Sequence, residues 1–405
     1  MKILYFGSAC DEEWFTNVAA TRKLPSLVAQ YKFEMALLNG FSLTNDTEVD
    51  VYYLYQEHYY PKGKRLLFPN KKKKINNKYD VTYISSVNLP LLKEMIFFFK
   101  GFLITLFWVF SNLKIKEKTI LTPFNYTPLS LGIYLAAKLM GIKRLNVFTD
   151  LSSDIINQKR QKDMIWVKKC LLPFYLKLIN FVEKNYDMYI LFTEEMNKKV
   201  NPKNKPYLVL EGIYNNQLDL KHLKKEKAIM YAGTLAYEYG IKNILDAFEQ
   251  LENSDLQLWI FGDGDMKDYI KELSVRDKRV KFFGFQAHNK VFEYEKKATL
   301  LVNARNPEDE YTFYSFPSKT FEYMVSGTPF LTTKLKGIPE EYYKYVFTID
   351  EYNVESLKQK MEGILSINQE KLDELGEDAR RFILENKNSL VQSAKIIHKI
   401  QKMIQ

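Results

Sequence analysis

Short apolar runs recur along the whole chain, each followed by a longer stretch in which apolar positions return at helical spacing. In the first half, residues 3–6, 49–55, 119–122, 144–149 and 188–192 read as strands, because brief β-branched and aromatic runs bounded by turn residues suit a sheet. Helical patterns such as residues 129–139 separate them. The second half repeats the rhythm, with strands at 228–231, 256–261, 280–283, 300–303 and 329–332 and helices at 242–252, 266–273, 290–297, 318–326 and 339–345. Strands covered on both faces lose their polar alternation, so this rhythm predicts an α/β chain of two Rossmann-like, doubly wound domains. The polar stretch between Gly212 and Lys227 breaks the pattern. The expected division is therefore 1–215 and 216–385, with 386–405 a C-terminal helix that has the option of packing back on the first domain.

Composition narrows the class. At 405 residues, 46% hydrophobic and 27% charged, with 16 Gly and 13 Pro, the chain is expected to fold along its length. Its two cysteines, Cys10 and Cys170, suit neither a disulfide framework nor a zinc site and point to a reducing, cytoplasmic compartment. The opening MKILYFGS reads as a buried strand, not as a signal peptide. Residues 95–110 are the most apolar stretch but contain Lys100, whereas a spanning helix needs roughly 20 uninterrupted apolar residues. Two readings of this stretch stay open, a buried core helix and a helix that also dips into a bilayer surface.

Charge is uneven. Residues 1–215 hold 31 Lys and Arg against 19 Asp and Glu, while residues 216–405 hold 28 against 30. The basic excess is clustered at Lys62, Lys64 and Arg65, at Lys71, Lys72, Lys73 and Lys74, and at Lys168, Lys169 and Lys177 amid Trp166, Leu171, Leu172, Phe174 and Tyr175. Such clusters mark either solvated loops or an anionic membrane surface. No nucleic-acid-binding motif accompanies them, so nucleic acid is not an expected partner.

In open α/β sheets ligands bind beyond the carboxyl ends of the strands. The loops to read are Gly233-Thr234, Gly262-Asp263-Gly264, Gly284-Phe285 and Ala304-Arg305, together with Gly7-Ser8, Asn125 and Asp150 in the first half. A strand-to-helix turn also uses Gly for structural reasons, and Asp150 serves equally well as a helix cap. The strongest segment is Tyr314-Ser-Phe316-Pro317-Ser318-Lys319-Thr320-Phe-Glu322. A helix starting near Pro317 presents free N–H groups and the positive end of its dipole to an anion. Lys319 adds a full charge, Arg305 can grip a phosphate bidentately, and Glu322, a turn further on, can accept hydrogen bonds from ribose or sugar hydroxyls.

The segments YAGTLAYEYGIKNILDAF, LWIFGDGD, VKFFGF, LLVNARN and SFPSKTFEYMVSGTPFLTT follow one another through residues 228–333. In this order they resemble the donor-binding domain of glycosyltransferase family 4, retaining enzymes of the GT-B fold that use nucleotide sugars. Three first-half segments, LPSLVAQYKFEMALL, LTPFNYTPLSLGIYLAAKLMGIKRLNVFTD and YDMYILFTEEMNKKV, are similar to members that build bacterial capsular and exopolysaccharides. The resemblance implies two domains facing across a cleft, a nucleotide diphosphate sugar donor (UDP-linked by preference), no metal and no bound cofactor. It also implies a lipid-linked saccharide acceptor at the inner face of the cell membrane.

Two departures qualify that pattern. The family commonly carries two glutamates eight positions apart; Glu322 matches the second, but Tyr314 stands at the first, which shifts sugar recognition to Glu308, Asp309 or Glu310. Thr234 and Tyr239 stand where the family commonly has an Arg and a Lys for the diphosphate, a role Arg305 and Lys319 could fill. The expected catalytic group is Arg305, Lys319 and Glu322, with Asp150 and Asn125 as weaker members. The expected donor contacts are Gly7, Ser8, Gly233, Thr234, Gly262, Asp263, Gly264, Phe285, Phe316, Pro317, Ser318 and Thr320. Retaining hexosyl transfer is the expected activity. A non-catalytic partner subunit and a sugar-nucleotide 2-epimerase of the same architecture are its alternatives. His58, His222, His288 and His398 are scattered, and none draws a catalytic role.

Overall fold

The computed structural model divides the chain into two units, Met1–Ile213 together with Ser389–Gln405, and Tyr214–Asn388. It describes all residues except 23–24, 45, 76–77, 124–126, 150, 152–165, 216–220 and 405. Asn125 and Asp150 thus lie outside the described residues, as do the side chains of Trp166, Lys168 and Lys169.

The first unit is built on β1 (Lys2–Gly7), β2 (Glu48–Tyr53), β3 (Lys71–Ile75), β4 (Tyr79–Tyr83), β5 (Lys118–Thr122), β6 (Arg144–Phe148), β7 (Met188–Leu191) and β8 (Tyr207–Val209). Their order is β8-β7-β6-β5-β1-β2-β4-β3, parallel throughout except where β3 returns antiparallel to β4 at the edge. Its principal helices are α1 (Glu12–Arg22), α2 (Pro25–Ser42), α3 (Leu92–Ser111), α4 (Thr127–Met140), α5 (Trp166–Glu183) and α6 (Glu194–Val200).

Alternate residues of β1 show why the run KILYFG carries no polar alternation. Ile3 and Tyr5 pack with Trp14, Phe33, Leu37 and the C-terminal residues Ile396 and Ile400. Leu4 and Phe6 pack on the other face with Phe97 and Trp108 of α3 and with Leu129 and Ile133 of α4. Both faces are covered, so every position from Ile3 to Phe6 is apolar.

The second unit carries β9 (Glu226–Ala232), β10 (Gln257–Phe261), β11 (Val280–Gly284), β12 (Ala298–Asn303), β13 (Phe330–Thr332) and β14 (Phe347–Thr348) in the order β11-β10-β9-β12-β13-β14, all parallel. Its helices are α7 (Ile241–Glu249), α8 (Lys267–Arg276), α9 (His288–Lys297), α10 (Glu310–Phe313), α11 (Lys319–Ser326), α12 (Val354–Leu365) and α13 (Gln369–Asn386). Ile229 and Tyr231 of β9 face Ile241, Ile270 and Leu357, whereas Met230 and Ala232 face Phe292, Met324 and Phe382. The final helix, α14 (Ser389–Ile404), belongs to the first unit, where the Ser393 hydroxyl donates to the Leu37 carbonyl of α2 at 3.2 Å.

Three local features differ from the sequence pattern. The helical pattern over 339–345 is a 3-10 turn at Glu340–Lys344. The Lys71–Lys74 run is an edge strand paired with β4, not a loop. Strand alternation sends Lys71 over the Trp14 and Tyr83 rings, 4.8 and 4.4 Å from their centroids, and Lys73 to Asp11 at 3.0 Å. The apolar stretch 95–110 is a longer helix, α3, covered on one face only.

Candidate active site

In the second unit the chain leaves β9 toward β10 on one side and leaves β12 toward β13 on the other, so the strand order reverses between β9 and β12. In open α/β sheets such a switch point, at the carboxyl ends of the two strands, is where ligands bind. Two glycines close the surrounding loops onto each other. Gly240 has φ 75°, and a Cβ there would stand 1.6 Å from the Ala304 carbonyl oxygen. Gly262 has φ 136°, and its Cβ would stand 1.8 Å from the Gly233 carbonyl oxygen. Only glycine permits such approach.

Helix α11 starts at this edge of the sheet, between β12 and β13. The Tyr323 hydroxyl accepts from the Ala232 N–H at 2.7 Å and donates to the Ala232 carbonyl at 3.1 Å, which pins α11 to the end of β9. At its other end Arg380 donates to the Val325 and Ser326 carbonyls at 2.9 and 2.6 Å, satisfying acceptors that a helix terminus leaves open. No side chain caps the N-terminus at Ser318, so its N–H groups stay unclaimed by a cap.

A charged cluster sits on the first turn of α11. Lys319 Nζ lies 2.5 Å from Glu322 Oε2 and 3.7 Å from Glu295 Oε1, and His288 Nε2 lies 2.8 Å from Glu322 Oε1. Burial pushes the Glu322 carboxyl up, but its hydrogen bond with His288 and the charge of Lys319 outweigh that and bring it to about 2. Burial raises Glu295 to about 7, against the pull of Lys319. Burial also disfavours the charge on Lys319, yet the carboxylates of Glu295 and Glu322 more than compensate, and its pKa stands above the ordinary value. The counter-charge expected for Lys319 from a bound anion is thus supplied by two carboxylates of the protein.

Arg305, just past β12, is different. Its guanidinium rests over the Tyr239 ring at 4.8 Å, and among the described residues it has no acidic partner. Its buried Nε lacks a hydrogen-bond partner, as do Asn303 Nδ2, Ser315 Oγ, Thr320 Oγ1 and both carboxyl oxygens of Glu295. A buried polar group left unpaired costs about 1–3 kcal/mol. Asn303, Arg305, Ser315 and Thr320 lie along the segment from the end of β12 to the start of α11, which leaves polar atoms there available to a polar ligand.

The remaining expected contacts divide. Thr234 and Phe285 are exposed, Phe285 to 82%, at the ends of β9 and β11. Asp263 pairs with Lys267 at 3.0 Å. Gly233, Gly262 and Gly264 shape the loops; Gly233 N–H donates to the Phe261 carbonyl and Gly262 N–H to the Gly284 carbonyl. Ser318 is exposed at the helix start and the Pro317 carbonyl accepts from Thr320 N–H. Phe316 is packed between Phe321 and Tyr342, at 5.1 and 5.5 Å, as a core residue. Asp309 accepts from Asn306 within its own turn, and Tyr311 donates to the Glu238 carbonyl.

In the first unit the loop at Gly7 and Ser8 is tied to a buried acid. Ser8 N–H and Oγ donate to the buried Glu34 carboxylate at 2.7 and 2.5 Å, and Ala9 N–H adds a contact at 3.2 Å. A residue of the chain itself occupies the Ser8 N–H and hydroxyl and the Ala9 N–H, so these donors are engaged within the fold.

His288 is the neighbour of Glu322 that sequence alone passes over. Its signal is positional: it opens the helix after β11, one of the loops that line the carboxyl edge of the sheet. If Glu322 binds ribose, Glu322→Gln keeps the fold and weakens donor binding by about 1.5–3 kcal/mol, the value of a hydrogen bond to a charged group; calorimetry with UDP reads it, and unchanged affinity rejects the role.

Residues 215–382 match the family model described as Glycosyl transferases group 1. A glycosyltransferase of Methanocaldococcus jannaschii is 32% identical over 120 residues, an alignment that spans 28% of this chain and only 29% of that relative. Among solved structures, a glycosyltransferase from Rickettsia africae covers 100% of this chain and 98% of its own, with TM-score 0.61 and 14% identity. Sucrose-phosphate synthase from Thermosynechococcus elongatus covers 100% and 99%, with TM-score 0.59 and 14% identity. HepE of Anabaena, solved in complex with UDP, covers 99% and 100%, with TM-score 0.59 and 14% identity. The chain therefore has the GT-B fold, and its second unit matches the glycosyl transferases group 1 model.

Proposed function

We propose that this chain, with its GT-B fold and its group 1 match over residues 215–382, moves a hexose from a UDP-linked sugar to a lipid-linked saccharide with retention, in capsular or exopolysaccharide synthesis. One observation carries the reading: Arg305, without an acidic partner, and the uncapped start of α11 stand at the switch point of the second unit, beside a Glu322 kept ionised at about 2. The UDP complex of the structural neighbour HepE supports the choice of nucleotide.

In this reading Arg305 and the α11 N–H groups hold the diphosphate, while Lys319 is committed to Glu322 and Glu295 and keeps those carboxyls in place. Glu322 accepts hydrogen bonds from the ribose hydroxyls. Retention follows if the acceptor hydroxyl attacks on the face the diphosphate leaves. The bond from the anomeric carbon to the phosphate oxygen breaks, the bond to the acceptor oxygen forms, and the acceptor proton passes to the departing phosphate oxygen. The protein then contributes positioning and stabilisation of developing negative charge, with no strong base of its own. Arginine and helix N–H groups supply that charge without a metal.

The test is UDP binding by calorimetry. Arg305→Ala is expected to weaken it by roughly 1.5–3 kcal/mol, on the order of tenfold to a hundredfold, with and without a chelator. Equal affinity in wild type and variant rejects the phosphate role of Arg305. Protection against thermal unfolding by UDP-sugars then selects the hexose, since ligand at 100 times its dissociation constant adds about 2.7 kcal/mol.

A further inference from the structure

Helix α3 is apolar on both faces, and only one is covered. Phe97, Trp108 and Val109 lie in the core of the first unit. Gly132 of α4 approaches so closely that a Cβ there would stand 2.0 Å from the Phe98 carbonyl oxygen. The opposite face presents Met95, Phe99, Leu103, Phe107 and Phe110, exposed to between 44% and 64%. Steps of three and four residues align these five in one stripe. Over 20 residues the helix is about 30 Å long. In its most apolar window only 28% of the residues are buried, where a helix of this composition in a soluble core is buried all round.

The charges within the helix are turned off that stripe. Lys93 is buried and donates to Asn88 Oδ1 at 3.2 Å, Glu94 accepts from the Tyr59 hydroxyl, and Lys100 donates to the Ser85 hydroxyl. Basic residues instead border it. Lys72 is exposed, on the face of β3 opposite Lys71 and Lys73, and lines one groove with Leu103 and Phe107; the acids of that groove are Asp80 and Asp50, the latter held by Lys2 and Trp108. Lys114 and Lys116 are exposed just beyond the end of α3.

We propose that this stripe is a membrane-binding surface. α3 lies in the plane of an anionic bilayer face, with Met95, Phe99, Leu103, Phe107 and Phe110 among the acyl chains and Lys72, Lys114 and Lys116 against the headgroups. Charge decides the occupant. With exposed Asp80 and Glu117 counted beside Lys72, Lys114 and Lys116 the rim keeps a basic excess. A second copy docked on the same stripe would therefore set like charges together, whereas anionic lipid neutralises them. Packing decides the depth. The covered face is fixed by Gly132 and by Trp108 Nε1 donating to Asp50 Oδ2 at 2.7 Å, so α3 lies on the membrane without crossing it. This deepens the lipid-linked-acceptor reading and rests on it for its purpose, but its test measures partition alone and so stands or fails apart from donor binding.

Flotation of the full chain with phosphatidylglycerol–phosphatidylcholine vesicles is the experiment. Wild type is expected to float, and Phe99→Asp with Phe107→Asp to lower its partition about a hundredfold at unchanged melting temperature and unchanged UDP affinity. Lys72→Gln with Lys114→Gln and Lys116→Gln is expected to lower partition roughly tenfold or more on these vesicles and to leave binding to neutral phosphatidylcholine unchanged. Failure of wild type to float, equal flotation of the aspartate variant, or a wild-type dimer that the aspartate pair dissociates would each overturn the proposal.

Discussion

Above about pH 7, where Glu295 is ionised in the fold, Lys319→Ala is expected to destabilise the second unit by about 3–5 kcal/mol, the typical cost of removing one partner from a buried ionic group, and by less below that pH, where Glu295 holds a proton. The reason is local. Lys319 is the cation within 4 Å of both Glu295, whose side chain is 1% exposed, and Glu322. Neither oxygen of Glu295 has a hydrogen bond. Without the ammonium, two neighbouring carboxylates face each other in a poorly solvated site. Hydrogen exchange of the α11 and β12 amides during a urea titration reads the effect in the unit concerned. Adding Glu295→Gln to the Lys319→Ala variant should recover much of the loss, because it removes the stranded charge; strictly additive effects of the two substitutions would show that the pair is not coupled. Arg305→Ala is the contrast, expected to alter ligand affinity with little change in stability, since Arg305 neutralises no acidic partner among the described residues.

The same contrast shows what could be read from the chain. Strands covered on both faces are legible because burial removes every polar position, as in KILYFG and AIMYA. The switch-point loops follow directly, since they come after those strands. Lys319 and Glu322 are three residues apart, so one helical turn brings them together and local sequence suffices. His288 and Glu295 reach Glu322 from α9, and nothing at short range in sequence announces that α9 packs there. Glu34 is hidden in the same way. It sits in an apolar helical run, where an acid is out of place, but the loop it satisfies at Ser8 lies 26 residues earlier. An acid inside an apolar helix was the available clue that Gly7 and Ser8 had an internal partner.

The lysine run is the opposite case. Four successive lysines read as one block of charge, but an edge strand alternates its side chains, and alternation divides the block. Lys71 and Lys73 are absorbed by Trp14, Tyr83 and Asp11, while Lys72 remains free to act at the surface. Net charge therefore overstates what a partner meets. The stripe on α3 shows the same limit in apolar residues: hydropathy marks the segment, and only the position of α4 and the sheet shows which of its faces is left over.

The pH dependence of stability should carry the signature of Glu295. Its carboxyl is raised from 4.5 to about 7 in the fold, chiefly by burial. Between those values the native state holds a proton that the unfolded chain has released, so this group's contribution is complete below about pH 4.5 and is lost as pH rises through 7. At about 1.4 kcal/mol per pKa unit the loss is on the order of 3 kcal/mol. Glu322 runs the other way. With its carboxyl lowered to about 2, its contribution is present above about pH 4.5 and is lost as pH falls toward 2. The two together place the cluster's best pH near 4.5. Glu295→Gln keeps the shape and cannot ionise, so its stability should lack the decline between pH 4.5 and 7 while keeping the acid-side loss due to Glu322. Urea midpoints for the second unit, measured for wild type and variant across that range, decide the matter. Parallel profiles would mean that Glu295 is ionised throughout and that Lys319, not protonation, compensates its burial.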